Sequence, residues 1–126
     1  MKFALLAAAG GAIGAAARYI VNVLTLHVFG PGFPWGTFAV NIAGSFVMGV
    51  FIALGALRLN LSSEIRVLVA TGIFGGFTTF SSFSLDFVTL FERKDYGIAA
   101  IYLAGSVGLS ILALFAGLII VRQWLS

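Results

Sequence analysis

Charged side chains divide this sequence into long apolar stretches: residues 3–17, 19–57 with only His27 inside, 67–85 and 96–121. A helix needs roughly 20 apolar residues to cross a bilayer core, at a rise of about 1.5 Å each. The second stretch is too long for one crossing, and Gly30-Pro31-Gly32-Phe33-Pro34 is the place to turn. The pattern predicts four helices, about 3–27, 36–57, 65–91 and 97–122, in a single four-helix transmembrane domain over 1–126. The first is read as a retained helix and not a cleaved leader, because apolar character continues past Ala9 through Ile20, Val21 and Val23 to Leu26.

The third segment breaks the pattern. As a continuous helix, 65–91 would extend about 40 Å against an apolar core of about 30 Å. Its middle carries Gly72, the pair Gly75-Gly76, then Thr78, Thr79, Ser81, Ser82 and Ser84, with Phe74, Phe77, Phe80 and Phe83 at every third position. So many hydrogen-bonding groups in a membrane span predict a broken backbone or a route for polar cargo. A break at Gly75-Gly76 and Thr78-Thr79 would release carbonyl oxygens. Two copies meeting there about a two-fold axis would enclose an oxygen cage suited to a small hard cation.

Two other spans carry polar stripes. Thr37, Asn41 and Ser45 stand at i, i+4, i+8 on the second helix, and Tyr102, Ser106 and Ser110 repeat that spacing on the fourth. A serine or threonine can satisfy itself on its own helix, but the Asn41 amide cannot do so as locally. Three stripes together predict a polar pathway more than interhelical glue. Phe74, Phe87 and Phe91 read as packing. Phe80 and Phe83, set among hydroxyls, can turn the positive ring edge towards a small anion. Small-residue pairs Gly10/Gly14, Gly11/Ala15, Ser45/Gly49 and Ala104/Gly108 predict close helix contacts.

Composition agrees with a membrane setting. Hydrophobic residues make up 61% and charged residues 9%, with mean hydropathy +1.15, which excludes an ordinary soluble domain. The net charge of +3 does not signal nucleic acid, because the seven basic residues form no patch. Lys2, Arg58, Arg66 and Arg122 are expected near one membrane face, and Arg18, Arg93 and Lys94 nearer the other, a bias too weak to fix orientation. Arg18 lies well inside a span, where it either snorkels to the interface or attracts anions to a pore mouth. Asp86 is expected to pair with Arg18 or to cap the outer end of the third helix. Cysteine is absent, and the lone His27 has no catalytic companions, so no enzyme is expected.

Three motifs carry a resemblance: Gly10-Gly11-x-x-Gly14-Ala15-x-x-Arg18-Tyr19, Trp35-Gly36-Thr37-x-x-Val40-Asn41-x-x-Gly44-Ser45, and Gly72-x-x-Gly75-Gly76-Phe77-Thr78-Thr79-Phe80-Ser81-Ser82-Phe83. Across all four helices the chain resembles the CrcB/Fluc fluoride channels, with Ser82 where many members have threonine. The resemblance implies an all-α membrane protein whose third helix is broken near its middle. It also implies an antiparallel, dual-topology homodimer in the bacterial inner membrane, exporting fluoride passively through two pores. A structural sodium ion at the dimer interface is implied on the main-chain oxygens of Gly75 and Thr78. Pore roles are implied for Phe80, Phe83 and Asn41, for Arg18 in the vestibule, and for Thr37, Tyr102, Ser81, Ser84 and Ser110.

The chemistry is consistent with that implication: replacing the tight hydration of fluoride takes dense, uncharged donors in a narrow passage. Two rival readings stand beside it. A small multidrug-type exporter has the same size and helix count, but needs a membrane carboxylate that the first helix lacks. A non-transporting assembly subunit would use the glycine contacts and leave the polar stripes idle.

Overall fold

The computed structural model describes residues 1–57 and 60–125. Arg58, expected beside Lys2 and Arg66, lies outside the described residues. Every regular element among the described residues is a helix, and four helical spans are long and apolar enough to cross a membrane: Lys2–Phe29, Trp35–Leu57, Ser63–Glu92 and Tyr96–Leu125. Each overruns the sequence expectation by between one and four residues in all. Between the first two, Gly30 takes φ 79, a left-handed conformation that glycine adopts without a Cβ penalty, and its N–H closes the helix on Leu26 O. Phe33 folds back from this turn onto the rings of Phe38 and Tyr102, which pins the second and fourth helices at that end.

Glycines set which helices touch. The first helix packs on the front half of the third span through Gly10 and Gly14, where an added methyl would overlap the backbone of Leu68, Gly72, Ile73 and Phe77. From the other side, Gly72 meets Gly10 Cα and Gly76 meets the Gly11 backbone. The second and fourth helices close on each other through Gly49, against Leu114, and Gly117, against Phe46 and Val50. Close backbone approach of this kind substitutes for hydrophobic driving force in lipid. The expected Ala104/Gly108 contact is not made: a methyl at Gly108 would meet nothing within 4 Å, and Ala104 is exposed. Gly117 does that work two turns further on.

The third span is not one helix. Ser63–Arg66 starts it, with the Ser62 hydroxyl accepting from Ile65 N–H at 3.2 Å. Val67–Phe74 is π-helical, an uncommon geometry, and Gly75–Phe77 returns to α. Helical backbone then stops: Thr78 has ψ 158 and Thr79 φ −153, ψ 127, both extended. Phe80–Glu92 restarts the helix, with Thr79 as its N-cap. The glycine pair is therefore helical, and the extended residues are the two threonines. Phe74 packs edge-on against Phe51, and the tilted rings of Phe87 and Phe91 lie 6.3 Å apart, with Phe91 exposed.

Candidate functional site: two polar cavities about an interrupted helix

Two backbone hydrogen-bond donors are redirected where the third span opens. In a continuous helix the N–H of Thr79 would reach Gly75 O, and that of Ser82 would reach Thr78 O. Here Thr79 N–H donates to Asn41 Oδ1 at 2.7 Å, and Ser82 N–H to Thr79 Oγ1 at 3.1 Å. Asn41 completes the pairing with Nδ2–H to Thr79 O at 3.0 Å. Its carboxamide thus stands in for a peptide group, and one of its two Nδ2 hydrogens is committed. Gly76 O, which Phe80 N–H would otherwise take, accepts from Arg18 Nε at 3.1 Å. The Thr78 hydroxyl and N–H both fold back onto Phe74 O. A methyl at Gly44 would strike Thr78 Cγ2, so that glycine makes room for the turn of the chain.

Arg18 does not snorkel, one of the two alternatives open in the sequence. It lies well short of the helix end at Phe29, its guanidinium is half-buried, and it reaches sideways to the interruption and not to an interface. Asp86 corrects an expectation, since its Oδ2 accepts from the Tyr102 hydroxyl at 3.1 Å and it neither pairs with Arg18 nor caps a helix end. Lys2 Nζ comes within 3.9 Å of Glu64, which brings Lys2 and Arg66 to the same end of the bundle.

A cavity of about 250 Å³ opens on the interruption, lined by Asn41 and Ser45, by Thr78, Thr79, Phe80 and Phe83, and by Ser106 and Ser110. Ser106 Oγ and Ser110 Oγ are buried there without a hydrogen-bond partner among the described residues. A buried hydroxyl left unpaired costs about 1–3 kcal/mol, so two together mark a place built for something other than packing.

A second cavity of about 260 Å³ lies one helical turn away, lined by Asn22 and Thr25, by Gly36 and Thr37, and by Ser82, Leu85 and Asp86. Thr37 borders this one and Asn41 the other. Phe83, 6% exposed, and Tyr102, fully buried, pack with tilted rings 5.2 Å apart within the core. Phe80 is 76% exposed and 5.6 Å from Phe83, so one ring of the pair is enclosed and one faces outward.

Of the residues singled out in the sequence, Phe80, Phe83, Asn41 and Ser110 share the first cavity with Thr78, and Thr37 borders the second. Tyr102 lies in the core beside Phe83, and Gly75 and Arg18 flank the interruption. Ser81 and Ser84 line neither cavity; Ser81 is exposed, with its hydroxyl 3.3 Å from Thr79 Oγ1. Asn22, Thr25 and Asp86 were missed as cavity residues. Asn22 and Thr25, three apart on one helix, carried the available signal.

A family model described as CrcB-like protein, Camphor Resistance (CrcB), matches residues 5–118. The chain belongs to the CrcB family. Members similar to it include proteins named fluoride-specific ion channel FluC. That of Rhizobium etli is 56% identical over 119 residues, covering 94% of this chain and 95% of the relative. That of Agrobacterium fabrum is 56% identical, covering 94% of each. That of Caulobacter vibrioides is 52% identical over 124 residues, covering 98% of each. With four helices able to cross a bilayer, this CrcB-family chain is a multi-pass membrane protein.

Proposed function

We propose that this protein is a fluoride-selective channel, releasing fluoride passively across the bacterial cytoplasmic membrane and so lowering fluoride inside the cell. The observation that carries the reading is the pair of unpaired buried hydroxyls, Ser106 and Ser110, facing Asn41 and Phe83 across one cavity. Close relatives named as fluoride-specific channels support the choice of ion.

A dehydrated fluoride needs donors; the cavity is lined by two hydroxyls, by Asn41 with its uncommitted Nδ2 hydrogen, and by Phe80 and Phe83, whose ring edges carry partial positive charge. None carries a full charge that would trap the ion, which satisfies the need to bind and release in quick succession. Arg18 contributes a positive charge beside the interruption, which raises the local concentration of anions. Thr37, Tyr102, Ser81 and Ser84 complete the route in this reading, Thr37 from the second cavity.

The working unit is an antiparallel homodimer with two pores, set in membrane lipid. The outward ring of Phe80 fits a surface completed by a second copy. Gly75 O and Thr78 O, whose helical donors are drawn off by Asn41 and Thr79, are hard oxygen ligands of the kind a sodium ion takes. When bound between two copies, that ion supplies positive charge that ties the interrupted spans together.

The test is fluoride efflux from liposomes holding the purified protein, followed with a fluoride electrode, with chloride as control. Fluoride release without chloride release is expected. Absence of fluoride release, or equal release of both ions, refutes the proposal.

A further inference from the structure

Four carbonyls, those of residues 75 to 78, lose their helical donors where the third span opens, yet the proposed sodium site uses two of them. We infer that Arg18 is a positioning residue that takes one of the other two out of play: its Nε–H occupies Gly76 O and so withholds that oxygen from the cation. The inference rests on the sodium reading above and deepens it.

The geometry gives the reason. Gly76 lies between the two proposed ligands in sequence, and its carbonyl is released by the same extended threonines. Left bare, it would supply a third oxygen from each copy and enlarge the cage. Cation choice by oxygen ligands depends on how many there are and how freely they adjust. Arg18 reaches this carbonyl from the first helix because Gly14 and Gly76 let the two backbones approach closely. The guanidinium is always charged and its fork of donors is planar, which suits permanent occupation of one carbonyl. Arg18 is therefore expected to favour sodium over potassium by keeping the donor set small.

Residue-pair isotope labelling reads this on the unmodified protein in lipid. Carbonyl-13C glycine with 15N-phenylalanine selects only Gly32 and Gly76, and with 15N-glycine it selects only Gly10 and Gly75. Sodium is titrated against N-methylglucamine at constant ionic strength, without fluoride. The Gly75 carbonyl resonance is expected to move while Gly76 stays with its loop reference Gly32. Movement of both overturns the role given to Arg18 and leaves the sodium site standing. Movement of neither overturns the sodium site, and the inference with it. In Arg18→Met, Gly76 is expected to respond to sodium and to potassium alike; a Gly76 that stays silent there while Gly75 still moves refutes the withholding role.

Discussion

The side-chain amide of Asn41 pairs with the main chain of Thr79 as one strand pairs with another, accepting at Oδ1 over 2.7 Å and donating from Nδ2 over 3.0 Å. A residue first picked out as a donor to an ion is thus also the partner that lets the third span leave helical geometry. The proposed ion contact and this pairing draw on different hydrogens of one NH2 group, which gives them different mutational signatures.

Asn41→Asp keeps the acceptor for Thr79 N–H but sets a carboxylate oxygen against Thr79 O. Fluoride flux should fall below detection, and the folded state should lose about 1–3 kcal/mol. Efflux and thermal unfolding in detergent check the two together. Undiminished flux would remove Asn41 from the pathway.

The two phenylalanines should separate stability from flux. Phe83 is enclosed against Tyr102, so Phe83→Ile should cost roughly 1 kcal/mol or more through imperfect repacking. Phe80 is largely exposed within the chain, and Phe80→Ile should change chain stability by no more than about 0.5 kcal/mol. Both should abolish fluoride efflux. A Phe80→Ile protein with full flux would contradict the pore role.

Ser106→Ala and Ser110→Ala should stabilise the protein while weakening transport. Each removes a buried hydroxyl that has no partner among the described residues, worth about 1–2 kcal/mol in the stabilising direction. A rise in unfolding temperature with a fall in flux is the expected pair of results. A fall in both would mean that the hydroxyls serve packing.

Glycine substitutions on one helix should have opposite signs. Gly14→Ala drives a methyl into the backbone of Ile73 and Phe77, which cannot withdraw, and folding should be lost or severely weakened. Gly11→Ala meets open space and should gain up to about 1 kcal/mol from helix propensity. Yield and unfolding temperature of the two variants decide the matter.

How far the sequence could be read depended on whether a feature leaves a periodic trace. Four apolar runs and a Gly-Pro turn located the helices, since length and hydropathy are one-dimensional properties. The Gly10/Gly14 clasp was visible because its spacing matches a helical face. The contact of Arg18 with the interruption could not be read, because a position along one helix says nothing about a carbonyl on another span. The glycine pair was read as part of the break, yet it is helical; its small size serves contact with Gly11, and the threonines, able to cap with their own hydroxyls, take the extended turn. The widened turns over Val67–Phe74 left no trace at all: every side chain but Thr71 is apolar or glycine, so no polar stripe reports the period.

Those widened turns also predict where the chain tolerates shortening. A π-helix carries more residues per turn than an α-helix, so losing one residue between Val67 and Phe74 tightens the coil and leaves the downstream segment near its original bearing. The same loss within Phe80–Glu92 has no such slack to draw on, and swings every later side chain by about 100° around the axis. Lineages of this protein should therefore vary in length ahead of the interruption and hold their register behind it.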